Sequence, residues 1–176
     1  MANREAIRDL QTRLAKRLQT ARTEGMSVAW LAVRAGGHNY LFPLGQSGEI
    51  FPVVGVQSVP YARAWFSGVL NIRGGLSGVV DLAGFIAEDT GVPRSEPVAS
   101  EPSVVTLNVA LEVNCALQVD SLLGLRGADG FVSSSPATQG APLYFGTRFV
   151  DAAGETWQEI NMRTLSQTPQ FLSISA

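Results

Sequence analysis

The chain has 176 residues, 45% of them hydrophobic, which is enough to build a core, and its formal net charge of −2 gives the whole molecule no electrostatic case for nucleic acid. One cysteine cannot form an internal disulfide, and one cysteine with one histidine sets a zinc site aside. No run of about 18 apolar residues exists to span a bilayer, and the first residues are charged where a signal peptide needs an apolar core, so the expectation is a reducing cytoplasmic compartment without direct membrane insertion.

Residues 3 to 23 place Ile7, Leu10, Leu14 and Leu18 three or four apart among arginines, which predicts one amphipathic helix, with Gly25 as its stop. Its apolar face is narrow and lacks Trp and Phe, so it is expected to dock on the protein body or on a partner rather than on a membrane. Charge divides at this point. The first 24 residues hold six basic side chains against three acids, whereas the remainder has seven arginines against twelve carboxylates, a balance of −5.

From Met26 the pattern becomes β-rich, with Gly and Pro punctuation at the spacing of small barrels. Strands are expected at Val28 to Val33, Asn39 to Pro43, Glu49 to Val54, Gly68 to Ile72, Gly78 to Leu82, Val104 to Val109, Cys115 to Leu123 and Leu143 to Val150, and also at Thr156 to Ile160. Odd positions from Leu107 to Val119 are apolar, so one long strand is possible. A hairpin turning near Ala110 to Glu112 is preferred, because such a strand would be unusually long. Pro93 to Pro102 reads as an exposed acidic link between two halves, Phe131 to Pro142 as a loop, and Asn161 to Gln167 as a short capping helix.

Chemistry is hard to find. Catalysis by a Ser/His/Asp or Cys/His arrangement needs a base, and the only histidine, His38, lies in the turn-like AGGHNY; a hydrolase would need a deep polar pocket around it. Glu88, Asp89, Asp120 and Asp129 follow no calcium-loop pattern, and no Walker or Rossmann glycine spacing occurs, so neither metal nor cofactor is expected. Gly124 to Gly127 matches a Gly-x-x-Gly loop only as a four-residue coincidence. In Ser58 to Phe85, two apolar runs flank Arg73-Gly74-Gly75, a turn that displays one guanidinium able to grip a partner carboxylate or to satisfy its own turn. Glu49 can pair internally or with a partner. Trp65 reads as core, Gly68, Gly74 and Gly75 as backbone geometry, and Asp81 and Asp120 as turn caps.

Pro60, Trp65, Gly68-Val69-Leu70-Asn71-Ile72-Arg73-Gly74 and Val79-Val80-Asp81-Leu82, with Glu49-Ile50 upstream and Leu117-Gln118-Val119-Asp120-Ser121-Leu122 downstream, resemble the core of CheW-like chemotaxis coupling proteins. The resemblance implies an all-β fold of two packed five-stranded SH3-like barrels, with an N-terminal helical extension over residues 1–25 and a CheW-like domain over 26–176. It implies a non-enzymatic adaptor that couples a methyl-accepting receptor, through its cytoplasmic tip, to the regulatory domain of a chemotaxis-type histidine kinase at membrane receptor arrays. Because that kinase carries a related barrel, alternating rings are also implied. Arg73, Glu49, Ser47, Asn71 and Val69 become the candidate protein-binding residues. Trp157 to Ile174 and the helical extension look more like the PilI-like adaptors of type IV pilus (twitching motility) systems. Gly78, Ala83 and Ser47 depart from the family pattern, as does the Trp157 to Asn161 ending. A nucleic-acid or small-ligand module on small β-barrels is the alternative reading, and the acidic body argues against nucleic acid.

Overall fold

The computed structural model describes residues 2–24, 28–96 and 101–176, with the side chains of residues 2, 3, 20–24 and 28 set aside. The expected stop at Gly25 lies outside the described residues. Eleven strands form among them, in two sheets. In chain order they are β1 (Val28–Ala35), β2 (His38–Pro43), β3 (Ser47–Pro52), β4 (Phe66–Ile72), β5 (Gly75–Asp81), β6 (Ser103–Leu107), β7 (Cys115–Val119), β8 (Ser121–Gly127), β9 (Phe131–Ser135), β10 (Phe145–Asp151) and β11 (Thr156–Ile160). The helices are α1 (Ala2–Glu24), α2 (Leu82–Thr90), α3 (Met162–Gln167) and α4 (Pro169–Leu172).

The five-stranded sheet runs β3-β6-β7-β5-β4, and the six-stranded sheet runs β8-β1-β2-β11-β10-β9. One barrel is therefore built from the middle of the chain and the other from the strands on either side of it. β2 joins β11 in parallel and β5 joins β7 in parallel, while the other pairings are antiparallel. Period-2 alternation lets each strand serve two cores. Leu70, Val79, Val104 and Ala116 fill the five-stranded barrel, and Ala32, Leu41 and Trp157 fill the six-stranded one. Their neighbours Val80, Val105 and Leu117 face Leu31, Val33 and Phe42 across a shared core, which also takes Leu14 and Leu18 of α1, Phe85 of α2, Leu165 of α3 and Phe171 of α4. The helix thus docks on the body.

Several expectations change at the level of elements. The strand predicted over Cys115 to Leu123 is two strands, because the chain leaves one sheet and enters the other at Asp120. There the Asp120 carboxylate accepts from the Gly36 amide at 2.8 Å, and its own amide donates to the Arg34 carbonyl at 2.9 Å. The loop predicted at Phe131 begins with β9, the sixth strand of the larger sheet. The Pro93 to Pro102 stretch does not link two halves, since α2 before it and β6 after it pack in the same five-stranded unit. Its first residues strap the β1–β2 turn instead: Ser95 donates to the Gly36 carbonyl at 2.8 Å, and a Cβ on Gly36 would meet both Ala83 and Arg94. The hairpin near Ala110 to Glu112 is present, with a 3-10 turn over Val109–Leu111.

Candidate protein-binding site

The five-stranded barrel closes where the chain beyond β3 returns to β4. Gln57 and Val69 exchange both backbone hydrogen bonds, at 2.9 and 2.8 Å. Gly68 makes this approach possible, because a Cβ there would stand 2.0 Å from the Gln57 carbonyl oxygen, and its φ is +139°. Val69 is half-buried at this seam.

Beyond the seam, β4 and β5 meet in a two-residue hairpin, with Ile72 paired to Gly75. Arg73 has φ +52° and Gly74 φ +84°, the pattern of a type I′ turn. Arginine is an unusual choice for the first of these positions, where a Cβ is strained. The turn is supported by Asn71, whose side-chain oxygen accepts from the Gly74 amide at 3.0 Å. Asn71 and Arg73 are both exposed.

Across the barrel end, β3 carries one extra residue against β6 between the pairs Ser47–Leu107 and Ile50–Val105. Such a bulge re-aims side chains. Here it buries both Ser47 and Ile50 and turns Glu49 outward, while the Glu49 amide donates to the Thr106 hydroxyl at 2.7 Å. Glu49 Oε2 and Arg73 Nη2 then meet at 2.6 Å, with side chains 47% and 73% exposed. An ion pair this open to water contributes little to stability, about 0–1 kcal/mol. A strained turn and a bulge converge on a contact of small structural value, presented to solvent.

The structure therefore brings Arg73, Glu49 and Asn71 together and sets Val69 at the seam below them. Ser47 must be corrected. It is fully buried, its hydroxyl donating to the Pro43 carbonyl at 2.9 Å, so it cannot offer a side chain to a partner. Leu76, opposite Asn71 on β5 and 61% exposed, joins the same tip and was not singled out in the sequence, although an apolar residue two beyond the turn was visible there. Trp65 lies in the shared core, stacked on Phe171 and edge-on to Phe85.

The other polar feature is an open cleft of about 1070 Å³ between α2, β2 and the 138–145 segment, with His38 and Arg148 on its walls. On its floor Tyr144 donates to the Asp89 carboxylate at 2.7 Å. Burial pushes the Tyr40 hydroxyl up to about 12, and burial followed by Asp89 raises that of Tyr144 further. The His38 and Tyr40 rings lie 6.4 Å apart, and among the described residues no carboxylate orients His38 as a base. Among the described residues no group of three or more His, Cys, Asp or Glu could hold a metal ion.

The model of the CheW-like domain matches residues 29–146, about two thirds of the chain. The chain belongs to the CheW-like family. CheW-like proteins are non-enzymatic scaffolds, and this member has their fold of two SH3-like barrels. It is 26% identical over 167 residues to Protein PilI of Pseudomonas aeruginosa, covering 93% of this chain and 89% of that protein. The crystal structure of the scaffolding protein TtCheW from Thermoanaerobacter tengcongensis superposes with a TM-score of 0.61 at 14% identity, over 77% of this chain and 89% of that one. In this CheW-like chain the departing C-terminal strand still closes its barrel: Trp157 is buried with Arg126 4.3 Å above its ring, and its indole N–H donates to Asp151 at 3.0 Å. Among the described residues no helix is long and apolar enough to cross a membrane.

Proposed function

We propose that this chain is the adaptor that joins a methyl-accepting receptor to a chemotaxis-type histidine kinase, in a pathway controlling type IV pilus twitching motility. The Glu49–Arg73 pair carries the reading: a bulge on β3 and a strained turn between β4 and β5 hold one exposed carboxylate and one exposed guanidinium at the same barrel tip. Likeness to PilI supports the pilus branch. The adaptor acts by geometry, since two separate patches on one rigid body keep receptor and kinase together, and receptor state can bias the kinase without chemistry in the adaptor. At such an array it would be recruited to the membrane by its partners. The units suggested for partner binding are the CheW-like body over 26–176 with its two barrels, and the helical extension over 1–25.

Arg73→Glu sets two carboxylates against each other at the tip. The expected result is at least ten-fold weaker binding of a receptor cytoplasmic fragment, with a melting curve that overlays the unsubstituted chain. Binding that does not change in the folded variant removes Arg73 from the interface. Co-purification of a histidine kinase that tolerates added salt supports the adaptor, whereas steep loss of a bound nucleic acid with salt would favour the alternative module.

A further inference from the structure

The cleft between α2, β2 and the 138–145 segment, of about 1070 Å³, is at the upper end of the size range of small-molecule sites, and its walls come from both barrel units. Strand register places its polar wall. Tyr40 on β2 pairs with Gln158 on β11, and Gln158 pairs with Arg148 on β10, so the three side chains share one face of the six-stranded sheet. Trp157, next to Gln158, fills the barrel behind that face. Tyr40 is buried and Arg148 exposed, so the row climbs from the core to solvent over two strand spacings, about 10 Å.

Both ends of the row carry unused hydrogen-bonding capacity. Tyr40 is only 4% exposed, yet its hydroxyl has no hydrogen-bond partner among the described residues, and burial is the one cause that raises its pKa. Buried hydroxyls in native proteins are nearly always bonded, so an orphan on a cleft wall marks a place for a ligand's acceptor. Arg34, Arg63, Arg73, Arg94 and Arg126 each face a side-chain oxygen. Arg148 and Arg163 face none among the described residues, and of these two only Arg148 lines the cleft. Asp89, the only carboxylate lining the cleft among the described residues, is taken by Tyr144. Half-buried Phe145, Leu143 at 88% exposure and Ile86 of α2 supply apolar wall.

Water can satisfy either polar group singly. Aligned on one face with apolar side chains beside them, the two together fit one elongated molecule. We propose that the cleft binds a small organic anion: a carboxylate or phosphate head on Arg148, a planar apolar body against Phe145 and Leu143, and an acceptor atom that takes the Tyr40 hydroxyl. Such a ligand touches α2 of the five-stranded unit as well as the six-stranded sheet, so it ties the barrels together and stabilises the chain. The site does not rest on the adaptor reading, and its failure leaves that reading intact.

The test is calorimetry on the full chain with three probes of one body. 6-Acetyl-2-naphthoate has both head and acceptor, 6-ethyl-2-naphthoate lacks the acceptor, and 2-acetylnaphthalene lacks the head. The first is expected to bind tightest, saturably at one site, and to raise the melting temperature. Arg148→Gln is expected to weaken both naphthoates about ten-fold and to leave 2-acetylnaphthalene unchanged. Tyr40→Phe is expected to weaken only the two acetyl probes, about five-fold, with a melting temperature equal to or above that of the natural chain. 6-Acetyl-2-naphthyl phosphate then separates the sources of the anion: tighter binding than the naphthoate assigns a phosphate head, weaker binding a carboxylate, and both support the site. Equal affinity for all three probes overturns the proposal, as does an Arg148→Gln variant that binds the naphthoates unchanged. A clear fall in the melting temperature of Tyr40→Phe would give the hydroxyl a structural partner and overturn it too. If no probe binds while a receptor or kinase fragment loses affinity for Arg148→Gln, the cleft is a protein interface and the small-anion site is refuted.

Discussion

At Arg73 the backbone and the charge make opposite demands. A φ of +52° favours glycine or asparagine, and holding a residue with a Cβ there costs about 1 kcal/mol. Arg73→Gly is therefore expected to leave the urea midpoint unchanged or raise it while weakening receptor-fragment binding, and a fall in both would make the arginine structural. Gly68 is the contrasting case. Gly68→Ala forces a Cβ into the Gln57 carbonyl at the barrel seam, and a loss of about 2–4 kcal/mol in chemical denaturation is expected. The family departures have internal reasons too. The Gly78 amide donates to the Asn114 carbonyl at 3.0 Å, a bond that proline could not make, and Ala83 is buried against Gly36 of the β1–β2 turn, where a Cβ on Gly36 would meet it at 2.9 Å. Sequence made Arg73 and Glu49 visible as candidates, but not their pairing, which depends on a bulge at β3 that no periodicity announces. The same bulge buried Ser47.

Among the elements, α2 is concealed in the sequence because Val79-Val80-Asp81-Leu82 looks like one strand. Its boundary signals were present: Asp81 caps the Gly84 amide at 3.3 Å and Gly91 ends the helix at φ +72°. Asp81 also binds Arg94, which fastens the strap to the helix start. Asp81→Ala should cost roughly 1–2 kcal/mol by urea denaturation, with hydrogen exchange rising first in α2 and residues 93–96. β9 was hidden for a different reason. As an outermost strand with serines at 133–135 facing water, it carries almost no apolar alternation, and its place is set by pairing with β10. Where burial is two-sided, as in β1, β2 and β7, apolar runs gave the strands away.

For the molecule as a whole, the shared core sets its response to alkali. Burial pushes the Cys115 thiol from 9.0 up to about 12, and the Tyr40 hydroxyl from 10.0 up to about 12. Both groups are protonated in the folded protein above the pH at which they ionise in the unfolded chain. Their contribution is complete below pH 9 and is lost as pH rises towards 12, by up to about 1.4 kcal/mol per pH unit for each group. Melting temperature is thus expected to fall over that range, and to fall less steeply in Cys115→Ala.

The parallel contact of β2 with β11 also orders events in time. Tyr40 and Leu41 find their partners only when Gln158 and Glu159 have been synthesised, and by then the whole five-stranded barrel has already emerged. At about 5–20 residues per second, the nascent chain holds an unclosed sheet edge for roughly 10 s. The expected ribosome-bound intermediate is one finished barrel carrying half of another, which β10 and β11 later close.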